Sequence, residues 1–169
     1  MVMTKLTRIL RHLSLSSWQL RRSFTPALLD NIEHAIRAGE QRHCAQVCFA
    51  VEGALSGRAL LAGTTARERA IEVFSRLRVW DTEHNNGVLI YLLLAERDVE
   101  IVADRGISAR VAPAQWEAIC HTMEAAFRQG QFEQGTLAGI EALTQLLHHH
   151  YPANGTPRPN EIADRPVVW

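Results

Sequence analysis

Long apolar runs are missing from this chain of 169 residues: the most strongly apolar stretch, Val88 to Ala95, falls far short of the ~20 residues that cross a bilayer. No secretory core follows Met1, so the sequence predicts a soluble protein. Cysteine is scarce too. Cys44, Cys48 and Cys120 are an odd number with neither CxxC nor zinc-finger spacing, which argues against a disulfide framework and for a cytoplasmic home. Net charge is absent, with 18 Lys plus Arg against 18 Asp plus Glu, so no overall field draws the molecule to nucleic acid. Common catalytic signatures are also missing: there is no glycine-rich phosphate loop, GxSxG elbow, HExxH helix, Cys-x5-Arg loop or Asp-x-Asp pair. Cys48 and Cys120 read as core residues.

What is present is unevenly placed. Lys5, Arg8, Arg11, Arg21 and Arg22 all precede the first acid, Asp30. Residues 1–23 are therefore a basic arm, and Leu6, Ile9, Leu10 and Leu13 give it the spacing of an amphipathic helix. Such a helix suits docking on its own domain, on a partner, or on anionic lipid through residues 1–22. Docking on its own domain is the favoured reading. At the other end, residues 151–169 carry four prolines and no periodicity, the pattern of an extended tail whose Val167, Val168 and Trp169 pack back or reach a partner. One α/β domain, residues 24–150, lies between.

Within that domain, Thr25-Pro26 reads as a helix cap and first position, followed by apolar Leu28, Leu29, Ile32, Ala35 and Ile36. Val47, Phe49 and Val51 then alternate along a first strand. Thr64-Thr65 introduces a helix with Ala70, Ile71, Phe74 and Leu77 on one face, and Val88 to Leu94 is apolar without alternation, as in a strand covered on both faces. Only "AERD" separates this run from Val99 to Ala103, which predicts a hairpin. Pro113 opens a helix with Trp116, Ile119, Cys120, Met123 and Phe127 at core spacing. A last helix carries Ile140, Leu143, Leu146 and Leu147 and ends in His148 to His150, read as imidazoles at a helix C-terminus before metal ligands. The expected fold is α/β: a mixed sheet with a parallel crossover and an antiparallel hairpin, flanked by helices on both faces.

That topology brings three segments to one sheet edge: Arg42 to Cys44, Asp81 to Asn86, and Asp104 to Gly106. Asp81, Glu83 and Asp104 are candidate oxygen ligands for calcium or magnesium, with Asn85 or Asn86 adding a carbonyl. Gly87 and Gly106 permit close backbone approach, and Arg105 completes the edge as a salt-bridge partner or anion receiver. A weaker zinc set is His43, Cys44 and His84.

The run "ARERAIEVFSRLRVWDTEHNNGVLIYLLLAERDVEIVADRGI", followed by "AFRQGQFEQGTLAGIEAL", resembles the TPM domain, named for thylakoid-lumen, photosystem-repair and modulator proteins. The likeness covers about residues 24–150 and is greatest to short bacterial members whose tails end like "ADRPVV". The resemblance implies a fold with this order of elements. It also implies a choice of functions, since members are described as acid phosphatases, as calcium-binding domains, or as modules at membranes beside LemA-type proteins. Several family carboxylates are absent. Asn85 stands for the acid before Asn-Gly-Val-Leu, Arg105-Gly106-Ile107-Ser108 for Tyr-Gly-Leu-Glu, Ala112-Pro113 for Thr-Asp, and Gln46 for a frequent Glu. Two expectations follow. The first is a non-catalytic binding or assembly module with a protein partner, LemA-type or otherwise membrane-associated. The alternative is a divalent-metal-assisted acid phosphatase with Asp81, Glu83 and Asp104 at the metal, and Asp81, His84 and Asp104 as its catalytic candidates, His84 being the proton donor.

Overall fold

The computed structural model describes residues 5–155 and 158–169. Residues 1–4 of the predicted arm and 156–157 of the predicted tail lie outside the described residues. Local chemistry starts each main helix. Thr25 caps α3 (Pro26–Glu40) by accepting the Leu28 N–H, with proline at the first turn where its missing donor costs nothing. Thr65 and Glu68 form a reciprocal capping box at α5 (Ala66–Arg76). Helix α7 (Pro113–Arg128) again begins at proline, and α8 (Phe132–His150) follows after Gly130, whose positive φ of 78° ends the preceding turn.

Four strands form one sheet in the order β3-β2-β1-β4. Strand β1 (Gln46–Glu52) pairs in parallel with β2 (Gly87–Leu93), from Gln46 opposite Gly87 to Glu52 opposite Leu93. The "AERD" turn folds β3 (Asp98–Ala103) antiparallel onto β2. Alternation then sorts side chains to two faces. Val47, Phe49, Val51, Val88, Ile90 and Leu92 join Ile32, Ile36, Met123, Phe127 and Leu143 in one core under α3, α7 and α8. Cys48, Ala50, Leu89, Tyr91 and Leu93 face Ala70, Val73 and Phe74 of α5 in the other. Both central strands are buried throughout, the mixed α/β architecture expected from the sequence.

Elsewhere the structure corrects the reading. Ile71 lies 48% exposed, and Val73 takes the core position beside Phe74, because the face of α5 that meets the sheet runs Ala66, Ala70, Val73, Phe74. Two short helices replace loops: α4 (Gly57–Ala62), capped by Ser56, and α6 (Arg105–Ser108), capped by Asp104. The basic arm is broken in two, α1 (Lys5–Ser14) and α2 (Ser17–Ser23), because Ser16 and Gln19 form a capping box that starts a new helix. The tail returns along the domain and ends as β4 (Val167–Val168), parallel to Ala50 and Val51 of β1. Gly53 N donates to the Trp169 carbonyl at 2.8 Å, and Trp169 N to Val51 at 3.1 Å.

Candidate functional site

The two ends of the sheet differ in what they do with polar groups. At the carboxyl ends of β1 and β2, where open α/β sheets commonly bind ligands, the side chains pair with one another. Glu52 is 4% exposed, and Arg69 meets it bidentately at 2.7 and 3.0 Å. The Tyr91 hydroxyl donates to the same carboxylate at 2.7 Å. Burial and that carboxylate push the tyrosine pKa up. Above this cluster sits α1. Its Arg8 Nε donates to Glu96 Oε1 at 2.7 Å, and its His12 accepts the Leu55 N–H at Nδ1 while Nε2 donates to Glu96. That end is closed by its own sequence.

The amino end gathers the three predicted segments. Asp104 N donates to the Gly87 carbonyl, Gly106 N to Asn85, and Gln46 N to Asn86. The Asn86 side-chain N–H reaches the Cys44 carbonyl. Glycine is required at both predicted positions: a Cβ on Gly87 collides with the Val79 carbonyl, and one on Gly106 with the carbonyls of Asn85 and His84. Asn85 itself bends through positive φ of 50°, which its short side chain tolerates.

The predicted ligands take unlike positions. Asp81, Glu83 and His84 are exposed, and the Glu83 N–H is taken by the Glu161 carboxylate at 3.1 Å. Asp104 caps α6, accepting the Arg105 N–H at 2.7 Å with Oδ1, while its Oδ2 is buried without a partner. Among the described residues Arg105 is in no ion pair; its guanidinium lies at 3.5 Å from Asn85 Oδ1, a weak contact. Among the described residues no three His, Cys, Asp or Glu are grouped so as to hold a metal ion. The unpartnered oxygens here, Asp104 Oδ2 and Asn86 Oδ1, come from one carboxylate and one amide, a set too small for the six or more oxygens that calcium takes. Of the zinc candidates, Cys44 and His84 line one cleft and His43 lies apart from it. His43 is wedged beside Gly39 and Thr144 between α3 and α8, and Cys44 Sγ donates to the Pro152 carbonyl at 3.1 Å.

Several residues outside the predicted ligand set organise this end, Tyr151 and Arg158 among them being ones that sequence reasoning overlooked. The Tyr151 hydroxyl donates to the Ile107 carbonyl at 2.7 Å, and the Tyr151 carbonyl accepts from Cys44 N. His148 Nδ1 donates to the Arg42 carbonyl at 2.7 Å. Gln46, at the position of a frequent family Glu, accepts Glu161 N and Ile162 N and so fastens the tail. Arg158 donates to the Cys44 carbonyl at 3.1 Å. Two clefts adjoin at Arg158. One, of about 250 Å³, is lined by Cys44, His84, Asn86, Gly106, Tyr151 and Arg158 among others. The second, about 470 Å³, includes Glu40, His43, Gln46 and Asp164. Burial holds the Glu40 carboxyl up at about 7, although its Oε1 accepts the Val47 N–H, and pushes His43 down to about 4.

Polar capacity is left unspent here. Of six buried side-chain nitrogens and oxygens without a hydrogen-bond partner among the described residues, five belong to His43, Asn86, Asp104 and His150 around this edge and one to Thr136, and the His43 ring also interacts with the Ala45 backbone. Native proteins satisfy most such atoms, so five at one edge mark it as different from the rest of the molecule.

A mixed sheet of this topology, with hairpin and crossover meeting at a glycine-crossed edge, defines a known α/β class. The TPM domain pattern matches residues 21–146, and the chain belongs to that family. Among solved structures it is similar to the BA42 protein of the psychrophilic bacterium Bizionia argentinensis, at 26% identity over 86% of this chain and 94% of that one, with a TM-score of 0.74. It also shares the fold of the N-terminal domain of a protein from P. gingivalis, at 16% identity over 89% and 95% of the two chains, TM-score 0.62. No curated protein matches.

Proposed function

We propose that this TPM domain is a non-catalytic binding and assembly module that holds a protein partner at the amino end of its sheet. The observation that carries this reading is the concentration around that edge of buried polar atoms, on Asn86, Asp104, His150 and His43, that have no hydrogen-bond partner among the described residues. A partner's backbone or side chains, entering beside Arg158 with small rearrangements, supply what those atoms lack. The cleft of about 250 Å³ accommodates one or two side chains of a protein, and the adjoining cleft of about 470 Å³ extends the same edge. A membrane-associated partner, of the LemA type that the family resemblance implies, suits this role.

The alternative is the metal-assisted phosphatase. It is favoured by the buried, unpartnered Asp104 Oδ2 and opposed by the dispersal of Asp81, Glu83 and His84 over the exposed loop. A photo-crosslinking residue in place of exposed His84, introduced in cells, separates the two. The binding reading expects a discrete protein adduct there and none from the same residue in place of exposed Ile71 on α5. Identical adduct patterns at the two positions, or EDTA-sensitive phosphate release that fails in Asp104→Asn, overturn it.

A further inference from the structure

We infer that α1 and α2 seat the domain on an anionic lipid surface, a role independent of the sheet edge. The reasoning begins with an inversion. An amphipathic helix that docks on its own domain ordinarily buries its apolar face, yet α1 docks through polar groups. Arg8 bonds Glu96 and the Thr64 carbonyl, and His12, 4% exposed, bridges Leu55 N and Glu96. These contacts fix the rotation of the helix. They leave Leu6, Leu10 and Leu13, one stripe at i, i+4 and i+7, at 67, 56 and 74% exposure.

Neighbouring elements extend the same character. Trp18 of α2 is 63% exposed, with the Arg22 guanidinium 5.2 Å from its ring centre. Leu61, 83% exposed, belongs to α4, whose flanking segments carry the Leu55 and Thr64 groups that hold α1. Lys5, Arg11, Arg21 and Arg22 are all exposed, and no acid occurs before Asp30. Exposed leucines, an exposed tryptophan and cations with no acidic partner among the described residues are what an anionic bilayer surface complements. A second copy fits badly, since it would set two such cationic arms against each other. No helix among the described residues is long and apolar enough to cross a membrane, so the contact is peripheral.

Vesicle co-sedimentation of the full chain tests this. Vesicles of phosphatidylglycerol and phosphatidylcholine in equal parts are compared with phosphatidylcholine alone. Expected is about ten-fold or greater preference for the anionic vesicles, reduced about ten-fold by Leu10→Glu and also by the pair Arg21→Glu, Arg22→Glu, with circular dichroism and unfolding midpoint retained. Because Leu10 and the two arginines lie outside the docking contacts, loss of binding in folded variants reports on the surface itself. No preference for anionic vesicles, or wild-type binding by both variants, overturns the inference. So does a lipid-free dimer that Leu10→Glu dissolves, which assigns the face to a second copy.

Discussion

At the carboxyl end of the sheet Glu52 answers Arg69 and Tyr91, and Glu96 answers Arg8 and His12; at the amino end His43, Asn86, Asp104 and His150 keep five buried atoms without a hydrogen-bond partner among the described residues. The contrast lies in the side chains. At the first end Glu52 and Glu96 are neutralised within the chain and help hold α1 and α5 to the sheet. At the second end the chain bears a desolvation cost without full return, which proteins tend to accept where something else binds.

Breaking the carboxyl end should give the largest effect. Glu52→Ala leaves the Arg69 guanidinium and Tyr91 hydroxyl buried without their acceptor, and a loss of about 3–5 kcal/mol in urea unfolding is expected. Glu52→Gln, which keeps an acceptor, should cost less. Equal and small losses from both would mean that solvent already reaches the cluster.

Next in size is Glu40, beside the second cleft. Its ordinary value of 4.5 is raised to about 7 in the folded state, chiefly by burial. The folded state therefore retains the proton longer, so this stabilising contribution is full below 4.5 and fades as pH rises through about 7. Glu40→Gln, which still accepts from Val47, should raise stability at about pH 8 by about 2 kcal/mol and change little at about pH 4.5. Some slope should persist in the variant, because burial beside Glu124 also raises Asp98 to about 7. Thermal melts across this range read the difference.

His43 sharpens the comparison with the opposite sign. Its folded value falls from 6.5 to about 4, mainly through burial, so its contribution is present above 6.5 and lost as pH falls toward 4. His43→Leu should stabilise the protein by about 1 kcal/mol near pH 5 and be close to neutral near pH 7. A large loss at neutral pH would show that the imidazole is bonded after all and that the amino end is less unsatisfied than its geometry indicates. Smallest of all should be Asp81→Asn and Glu83→Gln, each within about 0.5 kcal/mol, because both side chains are exposed.

The fold was legible wherever the signal was local or periodic. Thr25-Pro26, the alternation of Val47, Phe49 and Val51, the bare apolar run of β2 and the short "AERD" turn each correspond to an observed element. Convergence of three segments at the amino edge followed from topology, and Gly87 and Gly106 stand where backbones meet. Illegible were the features fixed by distant partners. The rotation of α1 depends on Glu96 in the hairpin, 88 positions from Arg8, whereas local pattern alone suggested burial of the leucines. Strand β4 is two residues long and exists because β1 offers an edge, not because the proline-rich tail favours extension. Acids brought to one edge by topology need not meet in space: Asp104, after β3, turned inward to cap α6 while Asp81 and Glu83, before β2, stayed at the surface.

The most direct measurement of the contrast between the ends is calorimetric titration of calcium, then magnesium, into protein freed of metal with EDTA, with Asp104→Asn alongside. An amino end built for a protein partner predicts no saturable heat from either ion and identical traces for the two proteins. Saturable binding that disappears in Asp104→Asn would contradict it and make the same edge a metal centre.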